Sequence, residues 1–192
     1  MIRLGILGST RGTNMLTLIE VINKGILPAT IEVVISNKAN ALILERALNH
    51  GLKAEFLSSE GLSRRDYDQQ INERLLHYHV DLVVLIGYMR ILSSDFVAEW
   101  NNKVINVHPS LLPAFAGKMD AGVHQAVLDS GVQETGCTIH YVTHQVDAGP
   151  IILQKKCEVL ANDTVDSLKQ RVQALEGLAL VEAIQLIAHQ PK

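Results

Sequence analysis

A chain of 192 residues with 47% apolar and 19% charged side chains is too rich in core-forming residues for a disordered polymer, and long enough to fold without staples. Seventeen Lys+Arg against 20 Asp+Glu leave a net charge of −3, and aromatics make up only 4%, whereas a general nucleic-acid binder is basic and carries rings for stacking. Two cysteines, Cys137 and Cys157, exclude a disulfide framework, Met1-Ile2-Arg3-Leu4-Gly5 opens no signal-peptide pattern, and the most apolar run, residues 82–86, is far too short to span a membrane. A cytoplasmic protein with reduced thiols, and with neither nucleic acid nor membrane as partner, is expected.

Along the chain, apolar β-branched runs alternate with segments of helical period. Strands are expected at Ile2–Leu7 and at residues 30–36, 53–57, 81–86, 104–107, 136–142 and 151–159. Helices are expected at 14–24, 39–50, 64–78, 93–100, 123–128 and about 165–188. The runs at 2–7, 31–35 and 82–86 are almost continuously apolar, as strands covered on both faces by helices are. The later runs alternate more and fit an antiparallel extension. With no linker, repeat or low-complexity stretch, residues 1–192 read as one α/β domain. Its ligands are expected at the carboxyl ends of the strands. The apolar face of residues 93–100 fits either an interface or a core, leaving monomer and homodimer both open.

The first strand ends in Leu7-Gly8-Ser9-Thr10-Arg11-Gly12-Thr13-Asn14, and a helix follows. Two glycines permit a tight turn, and free N–H groups at the helix start favour an anion such as phosphate. The spacing is neither the dinucleotide fingerprint nor the P-loop. The plain alternative is a strand-to-helix turn capped by Thr13. Further on, Gly87-Tyr88-Met89-Arg90-Ile91-Leu92 leaves a strand with a bend. Such a backbone edge suits a flat heterocycle, although pattern alone favours an ordinary exit that packs Met89 and Leu92 into the core.

The most informative segment is Val104-Ile105-Asn106-Val107-His108-Pro109-Ser110-Leu111-Leu112-Pro113. Strand alternation points Asn106 and His108 to one face, and two prolines stiffen the chain beyond. Asn stabilises a developing oxyanion and His carries a proton near neutrality. Asp147 lies in a loop closed by Gly149-Pro150, where it either bonds its own turn or pairs with His108 and keeps that ring cationic. His77 and His79 fall at a helix end. His140 and His144 lack ligands at metal-binding spacing, so no metal is expected. There is no G-x-S-x-G elbow.

Taken in order, these motifs resemble the folate-dependent formyltransferase family, and within it the members that formylate a glycinamide in purine biosynthesis. The residues that carry the resemblance are Gly12-Thr13-Asn14, Ser36-Asn37-Lys38-Ala39, Arg64 with Tyr67-Asp68, Met89-Arg90-Ile91-Leu92, Asn106 through Pro113, and Asp147-Ala148-Gly149-Pro150. The resemblance implies a Rossmann-like sheet, mostly parallel, flanked by helices and with antiparallel edge strands near the C-terminus. It implies 5-phosphoribosyl-glycinamide as substrate and 10-formyltetrahydrofolate as co-substrate, with no metal. It places the substrate phosphate on Gly12, Thr13 and Asn14, with Glu176 near the glycinamide end. It places the folate on Arg64, Met89, Arg90, Ile91, Leu92, Asn106, His140 and Asp147, and makes Asn106, His108 and Asp147 the catalytic trio. Thr13 departs from the commoner Ser but keeps the hydroxyl, and residues 117–124 are longer than in the shortest family versions.

Three other readings compete. A methionyl-tRNA formyltransferase would need an extra basic domain for which this chain has no room. A formyltetrahydrofolate hydrolase shares the pattern around His140-Tyr141-Val142-Thr143 but usually has His-His in place of His108-Pro109. A non-catalytic phosphate- or nucleotide-binding module would keep residues 8–14 but has no use for Asn106, His108 and Asp147 together.

Overall fold

The apolar runs become strands that sandwich between helices, and the side-chain alternation decides which layer each residue joins. The computed structural model describes residues 1–118 and 121–189. In chain order the elements are β1 (Ile2–Leu7), α1 (Thr13–Asn23), β2 (Ala29–Ser36), α2 (Leu42–Asn49), β3 (Ala54–Phe56), α3 (Arg64–His77), β4 (Leu82–Leu85), α4 (Ser94–Glu99), β5 (Val104–His108), α5 (Ala121–Ser130), β6 (Glu134–Tyr141), β7 (Ile151–Glu158) and α6 (Val165–Ala188). The strands form one sheet in the order β3-β2-β1-β4-β5-β6-β7. Every pair from β3 to β5 is parallel, and β6 and β7 run antiparallel. This is the expected α/β architecture, antiparallel edge included.

Leu4, Ile6, Val34, Leu82 and Val84 face one layer, where they pack with Met15 and Leu18 of α1, Ile43 of α2, and Leu180 and Ile184 of α6. Leu7, Val33, Ile35, Val83 and Leu85 face the other, against Tyr67, Ile71 and Leu75 of α3. That second layer also takes Phe96, Val97 and Trp100, all buried. The apolar face of residues 93–100 is therefore core. Of the exit pair after β4, Leu92 joins this core, whereas Met89 stays 39% exposed.

Most element ends shift by one to three residues, and two of these shifts bear on the site. α5 begins at Ala121, two residues before the expected start at 123, so a helix takes the second half of the segment 117–124. Residues 119 and 120 of that segment lie outside the described residues. At α1 the N-cap is Gly12, not Thr13. Gly12 has φ +67° and ψ +32°, and a Cβ there would collide with Ile43, so a glycine is required. Having no side chain, it leaves the first turn of α1 without a side-chain cap.

Candidate active site

The strand order reverses between β1 and β4: β2 and β3 extend from one side of β1, β5 from the other side of β4. A crevice opens at the carboxyl ends of strands at such a point. Here it holds a cavity of about 280 Å³. Its walls are the β1–α1 loop from Thr10 to Asn14, the β4 exit from Ile86 to Met89, the end of β5 from Asn106 to Pro109, and one face of α6, with Asp147 reaching in from the β6–β7 loop.

Asn106 and His108 both line the cavity, as strand alternation requires. The antiparallel register sets Asn106 directly opposite His140, and His108 opposite Thr138. Asn106 Nδ2 lies 3.2 Å from His140 Nε2, while His140 Nδ1 lies 2.9 Å from the Tyr141 carbonyl oxygen. A carbonyl only accepts, so Nδ1 carries the proton and Nε2 receives the Asn106 amide hydrogen. Burial holds the His140 pKa below the ordinary imidazole value, which keeps this neutral tautomer. One amide hydrogen of Asn106 is thus tied to His140 and the second is left for a ligand.

Asp147 does not bond its own turn. Its backbone is left-handed at φ +53°, and its Oδ2 accepts from Gly117 N at 2.8 Å and lies 3.3 Å from His108 Nδ1. Its Oδ1 is 3.7 Å from His140 Nε2. The loop can return this close because Gly149 has no Cβ; one there would collide with the Tyr141 carbonyl oxygen, and Tyr141 N donates to Pro150 O at 2.9 Å. His108 is 3% exposed, and its Nε2 has no hydrogen-bond partner among the described residues. The expected pairing of Asp147 with His108 is present, and its pull on the ring is upward. Desolvation is the largest influence and the neighbouring His140 adds to it, so the pKa falls below the ordinary value although Asp147 pulls it up.

The turn after β5 is held by groups far away in sequence. Thr138 Oγ1 donates to Ser110 O at 2.7 Å and accepts from Leu112 N at 3.0 Å and Gln154 Nε2 at 2.9 Å. Gln154 Nε2 also reaches Leu112 O at 3.0 Å. Across the cavity, Met89 N donates to Ser9 Oγ at 2.9 Å, and Ser9 Oγ donates to Asn37 Oδ1 at 2.6 Å. The first loop and the β4 exit are fastened together in this way.

Gly12, Thr13, Asn14, Met89, Asn106, His108, Asp147 and Glu176 all line the one cavity. Glu176, expected near the glycinamide end, is tied to the first turn of α1, where its Oε2 accepts from Asn14 Nδ2 at 2.8 Å. Arg64, Arg90, Ile91 and Leu92 are not on its walls. Arg64 is exposed at the start of α3. Arg90 lies over the Tyr67 ring, 4.6 Å from its centroid, and donates to Ser59 Oγ at 3.1 Å. Ile91 is 44% exposed and Leu92 is buried. Lys118, His124, Lys169 and Gln173 line the cavity but were not singled out from the sequence. A signal existed for two of them: Lys169, Gln173 and Glu176 recur at i, i+4, i+7 on a predicted helix.

The formyl transferase profile matches residues 2–184. The chain belongs to the formyl transferase family. It is 38% identical over 172 residues to phosphoribosylglycinamide formyltransferase of Escherichia coli K12, covering 89% of this chain and 80% of that one. It is 40% identical over 187 residues to the human trifunctional purine biosynthetic protein adenosine-3, covering 97% of this chain but only 18% of that much longer relative. Among solved structures, glycinamide ribonucleotide transformylase 1 of Symbiobacterium toebii superposes with a TM-score of 0.93 at 43% identity, covering 98% of this formyl transferase chain and 88% of the other.

Proposed function

We propose that this chain transfers the formyl group of 10-formyltetrahydrofolate to the amine of 5-phosphoribosyl-glycinamide, a step of purine biosynthesis. The observation that carries the reading is the convergence of Asn106, His108 and Asp147 on a cavity whose far wall is the uncapped start of α1. An acyl-transfer trio and an anion cradle in one cavity match a substrate with an amine at one end and a phosphate at the other. The names of the relatives point the same way.

The neutral amine attacks the formyl carbon and forms a C–N bond, and the carbonyl pair moves onto oxygen. The second amide hydrogen of Asn106 and the Nε2 edge of His108, which has no partner among the described residues, stabilise that oxyanion. Entry of a phosphate dianion and growth of the oxyanion add to the upward pull of Asp147 on His108, so the ring takes up its proton when it is needed. A water beside Asp147 relays a proton from the attacking nitrogen to the folate nitrogen, and the bond from that nitrogen to the formyl carbon breaks. The folate is held along Met89, Arg90, Ile91 and Leu92, with Arg64 at its far end and Asn106, His140 and Asp147 at its reactive end. The exposed Met89 and Ile91 support this as an aliphatic wall. Both partners are small molecules. The setting is the cytoplasm, as a monomer or homodimer; among the described residues no helix is long and apolar enough to cross a membrane.

Steady-state turnover tests the reading. Formyl release is expected only when glycinamide ribonucleotide is added; release without it identifies a hydrolase. Asn106→Ala is expected to lower kcat by roughly a hundred- to a thousand-fold with the fold retained. Near-wild-type turnover removes Asn106 from the mechanism.

A further inference from the structure

The charge balance of the cavity is incomplete if the α1 terminus is the whole phosphate site. A helix N-terminus offers roughly half a positive charge. A phosphate monoester carries about −1.5 to −2 near pH 7. Two carboxylates, Asp147 and Glu176, line the same cavity and oppose a dianion. Three described cationic side chains, Arg11, Lys118 and Lys169, line it as well. Arg11 and Lys118 are exposed, whereas Lys169 is half-buried in the wall.

Lys169 stands four residues before Gln173 and seven before Glu176 on α6, so the three share one face. Glu176 fixes that face by its bond to Asn14 in the first turn of α1, and Gly177 packs against Thr17 one turn further on. The two helices are thereby held with α6's polar row along the wall that includes the first loop. We propose that Lys169 is the residue of this chain that selects a phosphorylated amine over its dephosphorylated counterpart. Its ammonium supplies the charge the α1 terminus lacks, and Gln173 lies between Lys169 and Glu176 on the same helix face and cavity wall. The assignment deepens the formyl-transfer reading and rests on it for the identity of the substrate, but not for the presence of a phosphate ester.

The test compares wild type, Lys169→Gln, Lys169→Met, which keeps the apolar stem, and Lys169→Arg. With glycinamide ribonucleotide, the Gln and Met variants are expected to raise KM about tenfold, the scale of one lost charge-assisted hydrogen bond, with kcat within about twofold. With the dephosphorylated riboside, and for 10-formyltetrahydrofolate, their KM values match wild type, and Lys169→Arg restores most of the loss. A KM for the ribonucleotide that does not rise, or that rises equally with the riboside, overturns the assignment. Thermal protection by ribose 5-phosphate, with ribose as control, separates this outcome from the fate of the enzymatic reading. Should wild type show no glycinamide-dependent turnover, stronger protection of wild type than of the variants still upholds Lys169 as the phosphate residue. Equal protection refutes it.

Discussion

Asp147 shows how one side chain acquires a role that its neighbours in sequence do not announce. An Asp two residues before a Gly ordinarily caps its own turn. Here the left-handed backbone at Asp147 turns the carboxylate inward, where Gly117 N–H and the two imidazoles of His108 and His140 surround it. Its charge is the main force opposing the desolvation of His108. Asp147→Asn removes that pull, so the His108 pKa is expected to fall further below its wild-type value, read by NMR titration of the ring. Turnover is expected to drop about a hundredfold or more. A His108 pKa that rises or stays fixed in the variant shows that the carboxylate does not govern the ring.

At the scale of elements, the junction of β5 and β6 decides the site. β5 alone sets Asn106 and His108 on one face. The antiparallel register with β6 adds His140 beside Asn106, and Thr138 beneath the turn of residues 109–113. The Thr138 hydroxyl satisfies one carbonyl and two N–H groups, all within the fold. Thr138→Val keeps the shape and removes the hydroxyl, leaving buried groups unpaired. A loss of about 1–3 kcal/mol in unfolding free energy is expected by denaturant titration. Turnover is expected to fall with it, because the turn that follows His108 loses its anchor. Unchanged stability would mean that the turn is held by its prolines alone. The register is hidden from sequence reading because pairing depends on which strands become neighbours, not on the residues within either strand.

For the whole molecule, the buried imidazoles make stability depend on pH. His108 and His140 both have folded-state pKa values below the ordinary 6.5, mainly from burial. As pH falls through that value the unfolded chain takes up protons before the folded one does, so stability rises with pH across this window and is lost as pH drops below it. The melting temperature is expected to decline from about pH 7.5 to about pH 5.5, and His140→Gln to flatten part of that slope. Calorimetry across the series checks it; a melting temperature that rises on acidification reverses the sign and contradicts the burial argument.

The sequence by itself determined the layered α/β architecture. Continuous apolar runs demand strands covered on both faces, and helical periods between them supply the cover. It also determined the motifs at the strand ends, since glycine, Asn-x-His and paired prolines act through local backbone chemistry. Only the tertiary structure decided that Glu176 sits on Asn14 and that His108 is drawn toward its neutral form. It also decided that Arg90 lies over Tyr67 and that Lys169 enters the cavity wall. Those facts depend on burial and on which helix lies against which loop, and such distances are set only when the whole sheet has assembled.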